Sequence, residues 1–313
     1  MVTPTRFSPP GSIHMVTHRT TQGEFLLRPD PLVNQNFLYI LGYLQERHAI
    51  GFHTATFMSN HPHILLTDHL GDSLQRFNRE FFSLTARSLN RYWGRSENLW
   101  STRKPNCVLV APRAEDIVDH AAYIIVNPVE AELVSHAKNW PGVRILASEM
   151  GRLELVTPQP EFFFDAIGGM PPETRVRFTL PKVWDATPEE LRTRIEEECN
   201  RREQQIRERV KKENRSFAGA KSVKRRSPFS KPKEQPPFGE AIPHVACKEP
   251  RLYVAMLEWR ERRQQRYRQL LGQLREGVRD VVFPEGTFAL HFWYGLARRE
   301  WGGCIWTRLA AET

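Results

Sequence analysis

The sequence predicts an α+β protein: an antiparallel sheet with helices packed on it, followed by a basic, largely helical extension. Three observations carry this. Between residues 12 and 150 the apolar pattern alternates between period two and helical period, in the order strand, helix, hairpin, helix, strand, helix. Beyond residue 184 the pattern becomes long, charged and helical. The charge divides in the same place. Residues 1–183 hold 18 Lys and Arg against 17 Asp and Glu, net +1, whereas residues 184–313 hold 27 against 19, net +8.

The elements follow in order. Residues 12–20 (SIHMVTHRT) alternate β-branched or apolar with polar residues and predict a strand. Val33 to His48 predicts a helix, with Phe37, Leu38, Leu41 and Leu44 at helical spacing. Residues 50–58 and 61–67 are two further strands, and Ser59-Asn60 between them makes a hairpin turn. A helix from Leu74 to Tyr92 has Asp72 or Ser73 as its cap and Phe77, Phe81, Leu84 and Leu89 as its apolar side. Asn106 to Val110 is a short strand. Glu115 to Val126 is a helix that Asn127-Pro128 should end, with a short helix over Val129 to Ser135.

The second part begins at Thr187-Pro188-Glu189-Glu190, a helix start with Thr187 as cap. That helix should run to Asn214 with few positions facing a core. Residues 216–243 are rich in Ser, Lys, Pro and Gly and read as a flexible basic linker. Residues 251–275 are another basic helix, and short strands are expected around Glu285-Gly286 near the end. The expected division is a domain over 12–150 and an extension over 184–313, with the linker at about 216–243.

Composition excludes several classes. Of the 313 residues 40% are apolar and 26% charged, which suits a globular chain with its own core. No stretch approaches the roughly 18 uncharged apolar residues of a membrane span. Met1 to Gly11 lacks the apolar region of a secretory signal, and the expected location is the cytoplasm. Cys107, Cys199, Cys247 and Cys304 are scattered and form no CxxC pair, so neither a disulfide framework nor a cysteine zinc site is expected. The basic extension points to a polyanion, most simply nucleic acid.

Candidate chemistry centres on His61-Pro62-His63. Residues two apart on a strand share a face, so two imidazoles sit side by side and can hold one divalent metal. Tyr123 and Asn127 are four apart on a helix and also share a face. If that face covers the histidines, a phenol and an amide meet two imidazoles. Such a set suits attack on a phosphodiester: the metal polarises the phosphate and the phenol is the nucleophile. A core aromatic and a helix C-cap would give the same spacing. Arg76, Arg79, Arg87 and Arg91 on the 74–92 helix are candidates for lining a DNA-backbone groove, or else a solvated face. Lys221, Lys224, Arg225 and Arg226 in the basic stretch are the better phosphate contacts, with Phe217 and Phe229 beside them to stack on bases.

These residues carry a resemblance. Phe57 to Leu66 (FMSNHPHILL) resembles the HUH motif of single-tyrosine, single-strand DNA transposases, and in particular the REP-associated tyrosine transposases. Ala122 to Ala131 (AYIIVNPVEA) is similar to that family's second signature, Tyr-Ile, two residues, then Asn-Pro-Val. His14 to Arg19 and Leu99-Trp100 fall in the family's order, and the resemblance spans about residues 12–150. It implies a ferredoxin-like sheet of the HUH endonuclease type. It implies His61, His63 and Asn127 as ligands of Mg²⁺ or Mn²⁺, and Tyr123 as the nucleophile that forms a 5′-phosphotyrosine and frees a 3′-OH. It implies hairpin or single-stranded DNA as partner, no nucleotide cofactor, association with the nucleoid, and a homodimer. Pro62 departs from the bulky apolar residue usual between the histidines and predicts a locally irregular strand. Two other classes fit the same residues: a DNA-binding protein without catalysis, and a metal-dependent phosphodiesterase using water.

Overall fold

The computed structural model describes residues 8–161, 169–233, 244–287, 290–291, 294–302 and 305–312. Residues 234–243 of the expected linker, and Cys304, lie outside these. The first elements are β1 (Ser12–Thr17), α1 (Pro31–Arg47), β2 (Ile50–Phe57), β3 (Pro62–Asp68), α2 (Ser73–Trp93), β4 (Asn106–Val110) and α3 (Ala114–Glu130). Then come β5 (Glu154–Pro158), β6 (Glu173–Arg177), α4 (Pro188–Lys212), α5 (Ala220–Arg225), β7 (Val245–Ala246), α6 (Pro250–Arg275) and α7 (Ile305–Glu312). The main sheet has the order β2-β3-β1-β4-β7. Its first four strands are antiparallel with the ferredoxin-like order. β7 joins parallel to β4, so the sheet is mixed and not purely antiparallel. The extension thus supplies a strand that covers the β4 edge, where open N–H and C=O groups would otherwise invite pairing. At the opposite edge residues 143–145 lie along β2, with Phe57 N–H bonded to Val143 O and Ile145 N–H to Ala55 O (both 2.9 Å).

Alternation along the strands gives the sheet two different faces. Phe52 and Phe57, five apart but brought to one side by the register shift between Phe52 and Thr54, point to one face, where Phe52 meets Phe77 (ring centroids 5.5 Å) and Phe57 meets Phe37 (4.2 Å) and Phe81 (6.3 Å). α1 and α2 therefore cover that face. His63, opposite Thr56 and Thr17 in the ladder, points to the other face, which α3 covers. The β5–β6 hairpin packs on α1. Gly42 permits this, because a Cβ there would stand 2.7 Å from Thr174 Oγ1.

Asp72 takes the N-cap position of α2 as expected, but the side chain that bonds the turn from β3 into α2 is Asp68. The fully buried Asp68 carboxylate accepts from Leu70 (3.2 Å), Gly71 (2.8 Å), Ser73 (3.3 Å) and Leu74 (3.0 Å) N–H, and from Ser8 Oγ (2.7 Å). Asp72 makes no cap bond with its side chain and pairs with Arg298 (2.6 Å). Asp68→Ala would strand several buried donors at once and is expected to cost about 2–4 kcal/mol, read as a lower midpoint in urea unfolding.

Four further expectations change. α3 does not end at Asn127-Pro128 but runs to Glu130, and no separate helix covers 129–135. Pro128 removes one hydrogen bond near a terminus, where helical bonding is ending anyway. α4, capped by the predicted box of Thr187 and Glu190, buries Leu191, Ile195, Cys199, Glu203, Ile206 and Val210 along α3. Glu203 is charged yet belongs to that stripe, because its Oε1 accepts the Ala137 N–H (2.7 Å). Residues 216–233 are not free. Val223 of α5 is buried, Ala218 and Gly219 N–H bond to Glu132 and Leu133 O (both 2.9 Å), and Ser230 O accepts Phe25 N–H (2.9 Å). One apolar cluster accordingly runs from Ile13 to Val223. Around Glu285-Gly286 there are no strands among the described residues beyond the Phe283–Arg298 bridge. Among the described residues no helix is long and apolar enough to cross a membrane.

Candidate active site

The hairpin that carries the histidines is regular around its turn. Phe57 pairs with Pro62, Met58 N–H bonds to His61 O (3.0 Å), and Ser59-Asn60 form the loop. Pro62 does not distort it. As the first residue of β3 it sits where a strand tolerates proline, and the irregularity of this ladder lies instead at Phe52/Thr54.

His61 and His63 project side by side, ring centroids 4.7 Å apart and nearly perpendicular. Tyr123 stands over His63 at 5.3 Å and 85°. Because α3 continues through Pro128, Asn127 stays in helical register one turn below Tyr123, and its amide hydrogen-bonds the phenol. All four predicted residues meet on the α3 face of the sheet. Tyr123 is 44% exposed, so this side of the site is open to solvent.

The electrostatics suit metal ligation. Burial, with some repulsion from Arg19, lowers the His61 pKa to about 4. Burial and the neighbouring His61 hold His63 well below its ordinary value. Both imidazoles are therefore neutral near pH 7, the form in which a ring nitrogen donates to a metal. Burial raises the Tyr123 phenol, and the Asn127 hydrogen bond pulls it back down. His61 Nδ1–H donates to Asn60 Oδ1 (2.6 Å), and the other end of that amide is fixed by Nδ2 donating to Gly23 O (3.1 Å). Asn60 thereby sets the His61 tautomer that leaves Nε2 with its lone pair. Both nitrogens of the buried His63 lack any hydrogen-bond partner among the described residues, a costly state that a bound cation would relieve. Among the described residues no group of three or more His, Cys, Asp or Glu is placed to hold a metal, so the set on offer is two imidazoles and an amide.

Two neighbours escaped the sequence. Asn60 read only as a turn residue. Arg19 read as the end of a strand, whereas the β1–β3 register (Thr17 opposite His63) continues through Thr20 N–H to Asn60 O (2.8 Å) and sets Arg19 opposite His61. Only that register reveals it.

The predicted DNA-contact residues divide. Arg76, Arg79, Arg87 and Arg91 lie on α2, across the sheet from Tyr123, and the structure does not bring them into the site. Arg79 pairs with Glu80 (3.6 Å), while Arg87 and Arg91 are exposed. Lys221, Lys224 and Arg225 are exposed on α5, and Arg226 sits over the Phe25 ring (5.6 Å). α5 is tied on one side to the segment after α3 and on the other to Phe25. Two residues on, Leu27 N–H bonds to Ser59 O (2.9 Å), at the turn leading into His61. Phe217 packs on the core, whereas Phe229 is 53% exposed with Arg95 over its ring (5.9 Å).

No protein-family model matches the chain, and no curated protein does. Among solved structures it is similar to a REP-associated tyrosine transposase bound to a REP hairpin. The identity is 18%, over 45% of this chain and 81% of that one, with a TM-score of 0.35. What this chain's site can do is set by the geometry of His61, His63, Tyr123 and Asn127, and not by that likeness.

Proposed function

We propose that this chain cleaves and rejoins single-stranded DNA, beside hairpins, through a covalent link at Tyr123. The observation that supports it is the meeting of Tyr123, hydrogen-bonded by Asn127, with two neutral histidines, one of which has no protein partner for either nitrogen. The phenol loses its proton to solvent, and its oxygen attacks phosphorus. The P–O3′ bond breaks and the departing 3′ oxygen takes up a proton. A 5′-phosphotyrosine remains, and attack by a 3′-OH on it reverses the step and joins strands. Asn127 orients the phenol, and Asn60 holds the His61 ring. His61 Nε2, His63 and the Asn127 amide oxygen are the groups that would hold Mg²⁺ or Mn²⁺, which supplies phosphate polarisation and charge neutralisation when bound.

The test is a covalent-trapping gel. The protein is mixed with end-labelled single strands carrying hairpins drawn from the DNA around its own gene, with Mg²⁺ or Mn²⁺. A denaturant-resistant protein–DNA band that disappears with chelator is expected. Cleavage without that band would mean a phosphodiesterase using water, and binding with neither would mean a DNA-binding protein. In the same proposal Lys221, Lys224 and Arg225 hold the strand flanking the site. Their joint replacement by alanine is expected to lower the slope of log K against log salt by about 2 for single-stranded DNA, measured by fluorescence anisotropy. Alanine at Arg76 and Arg79, across the sheet, should change it by less than one.

A further inference from the structure

Arg19 is an unpaired cation at the edge of the proposed centre. Extending the β1–β3 register beyond Thr17–His63, through the Thr20 N–H to Asn60 O bond, puts it opposite His61 and on the same face. That face is the one α3 covers with Tyr123. The guanidinium is partly buried, its Nε is buried without a hydrogen-bond partner, and no acidic side chain among the described residues is within ion-pair distance of it. Its pKa is pulled down by burial, and its charge disfavours protonation of His61. Several partly buried arginines of this fold have an acid: Arg28 pairs with Asp30 (3.5 Å), Arg95 with Glu24 (3.0 Å) and Arg202 with Asp119 (2.6 Å), while Arg263 is held by the Glu285 carbonyl (2.9 Å). A guanidinium taken from water without an anion is unfavourable, and its planar fork fits two oxygens of a phosphate. Arg19 has neither an acid nor a carbonyl bonded to its guanidinium among the described residues. Here the acid is absent, and the one anion the site is proposed to receive is the phosphodiester.

We infer that Arg19 clamps a non-bridging oxygen of the scissile phosphate, opposite Tyr123, and so selects a charged phosphodiester linkage. This rests on the reading of the site given above. The clamp lowers the barrier because charge on those oxygens is held by a donor already in place. It also answers a need of the small ligand set, since two imidazoles and an amide carry no negative charge and leave room for a further cation.

The test uses one protein against two substrates, so any loss of folded protein cancels. Covalent adduct formation is timed for the full chain and for Arg19→Ala, with the natural linkage and with a neutral methylphosphonate at the cleaved position. Arg19→Ala is expected to lose about 100-fold on the natural linkage and less than about tenfold on the neutral one. Guanidinium ion added to the solution should restore part of the loss, and Arg19→Lys should fall between. An equal loss on both linkages would make Arg19 structural and overturn the clamp while the tyrosine mechanism stands. No adduct from the unaltered chain, on any hairpin, would remove the tyrosine mechanism and the clamp together.

Discussion

Tyr123→Phe is expected to remove the covalent protein–DNA band entirely, a loss of at least about 1,000-fold, while leaving the fold and the affinity for hairpin DNA nearly unchanged. The substitution deletes one oxygen. The Phe ring keeps the edge-on contact with His63, and at a site 44% exposed the lost hydroxyl leaves no buried donor behind except the Asn127 amide, which water can reach through the same opening. The expected change in stability is within about 1 kcal/mol. A nucleophile is different in kind from a packing residue in this respect: removing it separates activity from stability. Gel trapping, a thermal melt and a binding titration on one preparation would show the separation. Strand cleavage that persists in Tyr123→Phe at the rate of the unaltered chain would assign the attack to water and reduce Tyr123 to a lid over His63.

Much of the site was legible in the sequence because its spacing is local. His61 and His63 share a face by strand period, and Tyr123 and Asn127 by helical period. The unknown was whether the two faces meet, and α3 lying on the His63 face of the sheet supplies that. What the sequence hid is non-local. Arg19 depends on the β1–β3 register, which no short window contains. Asn60 depends on Gly23 holding the far end of its amide. Asp72 holds the N-cap position of α2, but Asp68, buried beneath four N–H groups, supplies the bonding carboxylate, while the Asp72 side chain is drawn to Arg298 more than 200 residues away. The α5 segment carries a disordered-looking composition, yet one buried valine and a few backbone bonds to Glu132, Leu133 and Phe25 anchor it. Composition averages over a window, whereas a few well-placed contacts decide order. α4 misled in the same way: a stripe that includes Cys199 and Glu203 scores as polar, though its geometry is that of a core face.

His63→Leu is expected to do two opposite things: abolish the chelator-sensitive adduct and make the protein more stable. Both ring nitrogens of His63 are buried and unpaired, so without a cation the side chain carries its desolvation cost uncompensated. An apolar residue of similar volume removes that cost, and a gain of about 1–2 kcal/mol corresponds to a thermal midpoint higher by roughly 1–3 °C in a chain of 313 residues. His53 supplies the contrast on the neighbouring strand. It is equally buried, but its Nε2 accepts from Thr67 Oγ1 (2.7 Å) and its Nδ1 donates to Thr179 O (3.2 Å). His53→Leu breaks a satisfied network and is expected to cost about 1–3 kcal/mol. Two buried histidines should therefore respond to one substitution with opposite signs, because one is paired by the protein and the other is kept open for something the protein does not supply. Mg²⁺ or Mn²⁺ should raise the midpoint of the unaltered chain and leave His63→Leu unmoved. If His63→Leu instead melts lower than the unaltered chain and still forms adduct, His63 is a packing residue and the proposed ligand set loses its centre.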